Sequence, residues 1–311
     1  MPVIRSKLTG EPLHELTGAS LRGARLDHLV LLAADLRGAD LRGADLRGTD
    51  LCQADLRDAR LDEADLRGAD FTLGTVAGAS FERANLADAR MQAVNLEIAG
   101  AAGTRFTGAD LSRVNLKNSN LSASAFDDAE MRRIDLTHSN LSAATLTGAN
   151  LTEANLNFAV FQGARLDGAM LVYAVLTGVD LGGASLRDAD LGGALFSGAR
   201  LESADLTQAH LSATVFARCH DLHRALGLDT VTWNNAACLD TATLRHCFAG
   251  LGPDFLAGAG LEPAEIAALG ALFGAAGQPV PAAALPPAPA GPAAEPAVAG
   301  SAAGSASGSA R

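Results

Sequence analysis

A five-residue period runs through most of this chain. Taking every fifth residue from Leu16 to Phe216 gives 41 positions: 30 are Leu, 7 Phe and 2 Met, and the other two are Val76 and Ala101. The register never slips. Two residues before each of these, from Ala19 to Thr214, 28 of 40 positions are Ala, and most of the rest are Ser, Thr, Gly or Val. The unit therefore reads as Ala, then Asp or Asn, then Leu, then two variable residues, as in Ala39-Asp40-Leu41-Arg42-Gly43. A period of five fits neither the roughly 3.6-residue period of a helix nor the two-residue alternation of a strand. A helix would spread these leucines around its circumference, and a plain strand would send successive ones to opposite faces. A chain that turns a corner every five residues keeps both the small and the large residue pointing inward. Coils of that kind pair backbone to backbone at about 4.8 Å per coil. Repetition along one axis makes a solenoid whose coils touch only their neighbours.

Sustained over residues 16–216, this unit resembles the repeat of the pentapeptide-repeat family. The resemblance implies an all-β solenoid, specifically a right-handed quadrilateral β-helix with four units per coil. On that geometry the array gives about ten coils and a length of about 48 Å. Inward columns then follow at 20-residue spacing. Val94, Val114 and Ile134 stack in a slot where Ala is usual, close to Ala101, a central position with almost no side chain. The larger residues fill that thin coil, because packed interiors hold few voids. Burying each central Leu or Phe contributes roughly 1.5–3 kcal/mol, so the central column supplies stability without a cofactor, and none is expected.

A solenoid needs caps, because its end coils expose apolar surface and unpaired strands. Residues 1–15 read as an N-terminal lead-in. After Phe216 the register breaks, and 217–277 read as a cap with short helices. The clearest helix spans Pro263 to Phe273, with Pro in the first turn, Glu265 near the start and Ile266, Leu269, Leu272 and Phe273 at helical spacing. Trp233, the only tryptophan, lies in a short extended piece from Thr230. Residues 278–311 consist almost wholly of Pro, Ala, Gly and Ser, the composition of a disordered tail.

Charge bounds the partners. The net charge is −11 and the pI about 5.0, which argues against direct binding of nucleic acid or of an anionic membrane, since both need a basic footprint. No 18-residue apolar stretch is present. Met1 to Gly10 carries two basic residues but no apolar core, and the four cysteines form no CxxC. A reducing cytoplasm is the expected compartment.

Two outward columns are candidate binding surfaces. One carries Asp50, Asp70, Asp110, Glu130 and Asp190, interrupted by Arg90, Asn150 and Met170. The family resemblance implies a partner for such a column: an acidic rod can take the place of DNA on a type II topoisomerase, mainly gyrase. The charge is dilute, however. Residues 16–216 hold 26 acidic and 18 basic residues, a net of −8. That is one net charge per about 6 Å, against one per ~1.7 Å of duplex DNA. Between Leu36 and Arg67 arginines interleave with the acids, as on a self-neutralising solvated surface. The second column is apolar: Val175, Leu195 and Val215 stack outward, with Phe158 nearby. An exposed apolar stripe marks an interface. Either the cap folds back over it, or it supports a homodimer through the C-terminal end, which resembles what family members do.

No arrangement for catalysis emerges. None of the seven histidines pairs with a Ser or Cys in a recognisable motif, and a regular rod offers no cleft for paired carboxylates. Cys219, His223, Cys238 and Cys247 could in principle hold zinc, but their spacing matches no standard pattern, and buried free cysteines are common. An ice-binding ladder is excluded, because Asp127, Asp167 and Arg187 interrupt the column of Thr107, Thr147 and Thr207. The expectation is a protein-interaction rod or scaffold that is not an enzyme. A DNA mimic acting on gyrase or topoisomerase IV, or a self-assembling structural protein, stand as alternatives.

Overall fold

Each five-residue unit closes a turn. The N–H of Ala44 donates to the carbonyl of Leu41 at 3.0 Å, and Ala64 does the same to Leu61. Two residues after the central one the backbone is left-handed, with φ 63° at Gly43 and 61° at Glu63. That is the third-position conformation a type II turn requires. In this computed structural model, which describes residues 3–16, 18 and 20–273, parallel bridges join positions 20 apart, such as Asp40 to Arg60, Asp65 to Asn85 and Asn120 to Asn140. The coils therefore stack in register as a β-helix.

All five N–H groups of a unit find acceptors. In the unit centred on Leu41, Leu41 donates to Arg60 O and Gly43 to Asp62 O on the next coil, while Ala44 closes the turn. Asp45 donates back to Ala24 O, and Arg42 donates to the side chain of Asp40. That last bond explains why Asp or Asn precedes the central residue so often. Its side-chain oxygen satisfies the one turn amide that no backbone carbonyl of a neighbouring coil accepts.

The interior is as expected. Every central residue from Leu26 to Phe216 is buried, and so are Val94, Val114, Ile134 and Ala101. Phe106 stacks on Phe126 at 4.9 Å, and Phe196 on Phe216 at 5.0 Å. Where the small inward residue is Ser or Thr, its hydroxyl donates to a central carbonyl of the preceding coil. Thr104 bonds Phe81 O, Ser124 bonds Ala101 O and Thr214 bonds Leu191 O, at 2.7–2.9 Å. Buried hydroxyls are thus paired, as buried polar groups must be.

The N-terminal segment is a hairpin. Strands β1 (Val3–Ser6) and β2 (Pro12–Glu15) pair antiparallel, and β1 also pairs antiparallel with β3 (Ala34–Asp35). Along one later face the bridges lengthen into a parallel sheet of β4 (Val175–Thr177), β5 (Leu195–Ser197), β6 (Val215–Ala217) and β7 (Cys238–Leu239), in that order. Past Phe216 the chain runs one more, irregular coil. Its partners fall 21, 22 and 23 residues apart, at Asp205 to Leu226, His210 to Thr232 and Val215 to Cys238. Three short helices follow: α1 (Thr241–Cys247), α2 (Pro253–Gly258) and α3 (Pro263–Phe273). Asp240 caps α1 by accepting the Thr243 N–H at 2.7 Å. Leu244, Cys247, Leu251, Phe255 and Leu256 bury against the last coil in continuity with Phe216 and Cys219. The expected tail, 278–311, lies outside the described residues.

Candidate interaction surfaces

The acidic column is continuous in space. Bridges link Val30, Asp50, Asp70, Arg90, Asp110, Glu130, Asn150, Met170, Asp190 and His210 in order, so Asp50, Asp70, Asp110, Glu130 and Asp190 do share one edge of the coils. Their carboxylates, however, are engaged. Asp50 accepts the Cys52 N–H, Asp70 the Thr72 N–H, Asp110 the Ser112 N–H and Asp190 the Gly192 N–H, at 2.9–3.0 Å. Glu130 accepts the Asn150 amide at 2.9 Å. Asp70 also meets Arg90 at 3.4 Å, and the Gln92 amide bonds Asp110. Hydrogen bonds hold the Asp70 and Asp110 carboxyls below the usual range against the opposing effect of burial. Between the first two acids, burial and then the neighbouring Asp50 and Asp70 push the Cys52 thiol up to about 12. The column is a row of turn caps with charge as a by-product.

In the early coils the charge of the other outward columns is cancelled. Arg37, Arg42, Arg47, Arg57 and Arg67 each fork onto the Asp two residues back, with the Arg42 Nε to Asp40 Oδ1 at 2.7 Å and the Arg67 Nη2 to Asp65 Oδ2 at 2.7 Å. Arg37 holds Asp35 down to about 2. The arginines of these pairs reach solvent while the aspartates are half-buried or, at Asp55, buried, so the pairs neutralise charge more than they stabilise.

The apolar column is the outward side of the four-stranded sheet. Val175, Leu195, Val215 and Cys238 are in direct register across β4 to β7. Thr177, Ser197 and Ala217 form the parallel row beside them. Upstream the same column reads Asp35, Asp55, Thr75, Asn95, Asn115, Asp135 and Asn155, so the face passes from polar to uncharged along the solenoid. Leu195 is 36% exposed and Val175 and Val215 are half-buried, so among the described residues the cap leaves the stripe open. The cap instead closes the end of the coil, because its apolar side chains meet the interior column. Phe158 is not in the column. It occupies a corner with φ 58°, where its ring stacks with His138 at 5.0 Å and covers Gly178.

Tyr173 was not singled out from the sequence. It sits at the opposite corner, left-handed and 66% exposed, with its ring over Gly193. Its signal was available: an aromatic in a corner slot usually held by Gly or a polar residue. Tyr173 and Phe158 frame the strand positions between them, which contain no charged side chain from Val175 to Ala217 along the sheet.

The cap cysteines do not converge. Cys219 and Cys247 are buried, with the Cys247 thiol on the Cys219 carbonyl at 3.2 Å, whereas Cys238 is exposed on β7. Among the described residues no three of His, Cys, Asp and Glu are grouped to hold a metal, and no helix is long and apolar enough to cross a membrane.

Comparison with known proteins agrees with the geometry. The family model described as pentapeptide repeats matches in eight copies, over residues 15–51, 34–72, 104–142, 139–178 and 174–212. Among solved structures, the chain is 32% identical to HetL, a pentapeptide repeat protein involved in heterocyst differentiation regulation from the cyanobacterium Nostoc. That match covers 66% of this chain and 85% of HetL, with a TM-score of 0.36. It is 40% identical to Rfr23 from the cyanobacterium Cyanothece over 29% of this chain and 60% of that one, with a TM-score of 0.28. QnrB1, a plasmid-mediated fluoroquinolone resistance protein, matches at 18% identity over 72% of this chain and 94% of its own, with a TM-score of 0.33. No curated protein sequence matches.

Proposed function

The chain belongs to the pentapeptide-repeat family, and from that premise we propose that it is a non-catalytic, cytoplasmic protein-interaction rod. We take it as a right-handed quadrilateral β-helix of about ten coils, divided into lead-in, array and cap as the repeat boundaries suggest. It docks through the uncharged sheet face bearing Tyr173, Val175, Leu195 and Val215, with Phe158 at the rim, and a second copy of the chain is the first partner in view. The observation that carries this is the change of character along a single column, from Asp35 and Asp55 to Leu195 and Val215, with no cap element among the described residues covering the apolar end. Desolvating such a face costs little, and a rigid solenoid loses little conformational entropy on binding. Sedimentation velocity across a concentration series tests it. The full chain should self-associate, and Leu195→Asp with Val175→Asp should abolish association while leaving the circular dichroism spectrum unchanged. A monomer at every concentration would remove the homodimer.

A second reading, mimicry of DNA on a type II topoisomerase, draws on the continuity of the Asp50 to Asp190 column. Arg90, Asn150, Met170 and His210 interrupt it, and its aspartates are bound to turn amides, which makes it the weaker reading. A gyrase supercoiling assay across a salt series decides it. Salt-sensitive inhibition that is lost in Asp110→Asn with Glu130→Gln would establish mimicry, and no inhibition would exclude it.

A further inference from the structure

Most arginines of the solenoid lie against a carboxylate, among them Arg42 on Asp40, Arg83 on Glu63 and Arg187 on Asp205. Arg113 and Arg132 have no such partner among the described residues. Together with Arg133 they line one surface depression of about 410 Å³, completed by Gln92, Ala93 and Ser112. Arg113 and Arg133 occupy the same left-handed corner on successive coils, with φ of 59° and 56°, and the Arg113 N–H donates to the Arg132 carbonyl at 2.9 Å. Successive coils lie about 4.8 Å apart, and like charges directly opposed across paired strands are unfavourable. Of the three, Arg133 alone is bonded to a carboxylate, through two bonds to Glu153 at 2.7 and 3.2 Å. The rim carboxylate of Asp110 is already taken by the Ser112 N–H and the Gln92 amide.

We infer that the depression formed by Arg113, Arg132 and Arg133 binds a compact oxyanion of the phosphate class. Guanidinium groups present planar forks that match phosphate oxygens two at a time. An anion bridging Arg113 and Arg132 supplies the counter-charge that no ion pair gives them. The surroundings set the size of the ligand. Asp110 bonds the lining residues Gln92 and Ser112 and Glu153 bonds Arg133, so a polyanion running past these carboxylates meets repulsion, whereas a single phosphate does not. The ligand is inorganic phosphate or a phosphate monoester on a protein partner. The site lies on earlier coils than the uncharged face, so it does not depend on self-association.

Calorimetric titration of the full chain at constant ionic strength tests it, with inorganic phosphate, a phosphoserine peptide and the same peptide unphosphorylated as the probes. One-site saturable binding of phosphate is expected, weakened at least tenfold in Arg113→Gly, whose left-handed corner suits glycine, and in Arg132→Gln. Arg105→Gln, a charge loss on another column, should leave binding unchanged. Equal affinity for phosphate and phosphopeptide would identify the free ion as ligand. A phosphopeptide at least tenfold tighter, with the unphosphorylated peptide silent, would identify a protein-borne phosphate. Absence of saturable binding, full binding in both site variants, or an equal loss in Arg105→Gln would overturn the site. Circular dichroism of each variant separates loss of the site from loss of the fold.

Discussion

Ile98 is a β-branched residue held at φ 60° on an exposed corner, a conformation such side chains rarely adopt. Its side chain is 71% exposed, so removing it forfeits little burial. Ile98→Gly should therefore stabilise the chain by about 0.5–1 kcal/mol, the left-handed strain released less the added backbone freedom of the unfolded state. Gly108→Ala should do the opposite, by about 1 kcal/mol, because its corner has φ 66° and a new Cβ would lie 2.7 Å from Asp88 Oδ1. Urea midpoints at unchanged slope check both. Asp110 separates charge from structure. Asp110→Asn keeps an oxygen for the Ser112 N–H and should be nearly neutral, whereas Asp110→Ala orphans that amide and should cost about 1 kcal/mol. This is also where the sequence was least legible. The repeated Asp reads in the sequence as solvated surface, and its role on a turn amide emerges only once the stacked coils show which amide they leave unpaired.

The cap holds the two histidines whose affinity for protons the fold lowers. His220 and His246 stack at 4.2 Å, and the His223 Nδ1 is buried without a partner. Burial lowers the affinity of His220 and His223 for protons, and His246 lowers it further at His220. Asp221 and Asp240 act in the opposite sense at His220, and Arg218 adds to the lowering. At His223, Arg224 lowers and Asp221 raises. A folded value below the unfolded one means that the unfolded cap binds more protons, so stability is complete above the unfolded value near 6.5 and is lost as pH falls below it. Trp233, packed edge-on against Phe255 at 5.2 Å, reports on the cap alone. Its fluorescence should shift as pH falls below about 6.5 while the solenoid's circular dichroism stays constant. Simultaneous loss of both signals would contradict an independently titrating cap. The α3 helix was legible in the sequence because its apolar residues keep helical spacing after a leading Pro. The irregular coil before it was not, since insertions that stretch the spacing to 21, 22 and 23 residues erase the period without ending the stacking.

Over the whole molecule, the same backbone arithmetic produces two different surfaces. Where the outward residues are Asp with Arg two positions on, the face neutralises itself, as between Asp35 and Arg67. Where they are Val, Leu, Thr and Ala, it becomes a flat uncharged sheet. The inward columns could be read from the period, because one repeat length fixes which residues share a column. The stripe of Val175, Leu195 and Val215 followed by the same rule. Tyr173 showed only as an aromatic in a corner slot; the 20-residue spacing places Gly193 beside it, but that the ring lies over Gly193 is seen in the structure alone. The most direct test of the docking face is hydroxyl-radical footprinting of the full chain at low and high protein concentration, read by mass spectrometry. The account predicts that Tyr173, Phe158 and Leu195 lose reactivity as concentration rises, while exposed Leu73 and Ile98 on earlier coils do not. Unchanged reactivity at Tyr173 and Leu195 under conditions where the protein associates would place the interface elsewhere and contradict it.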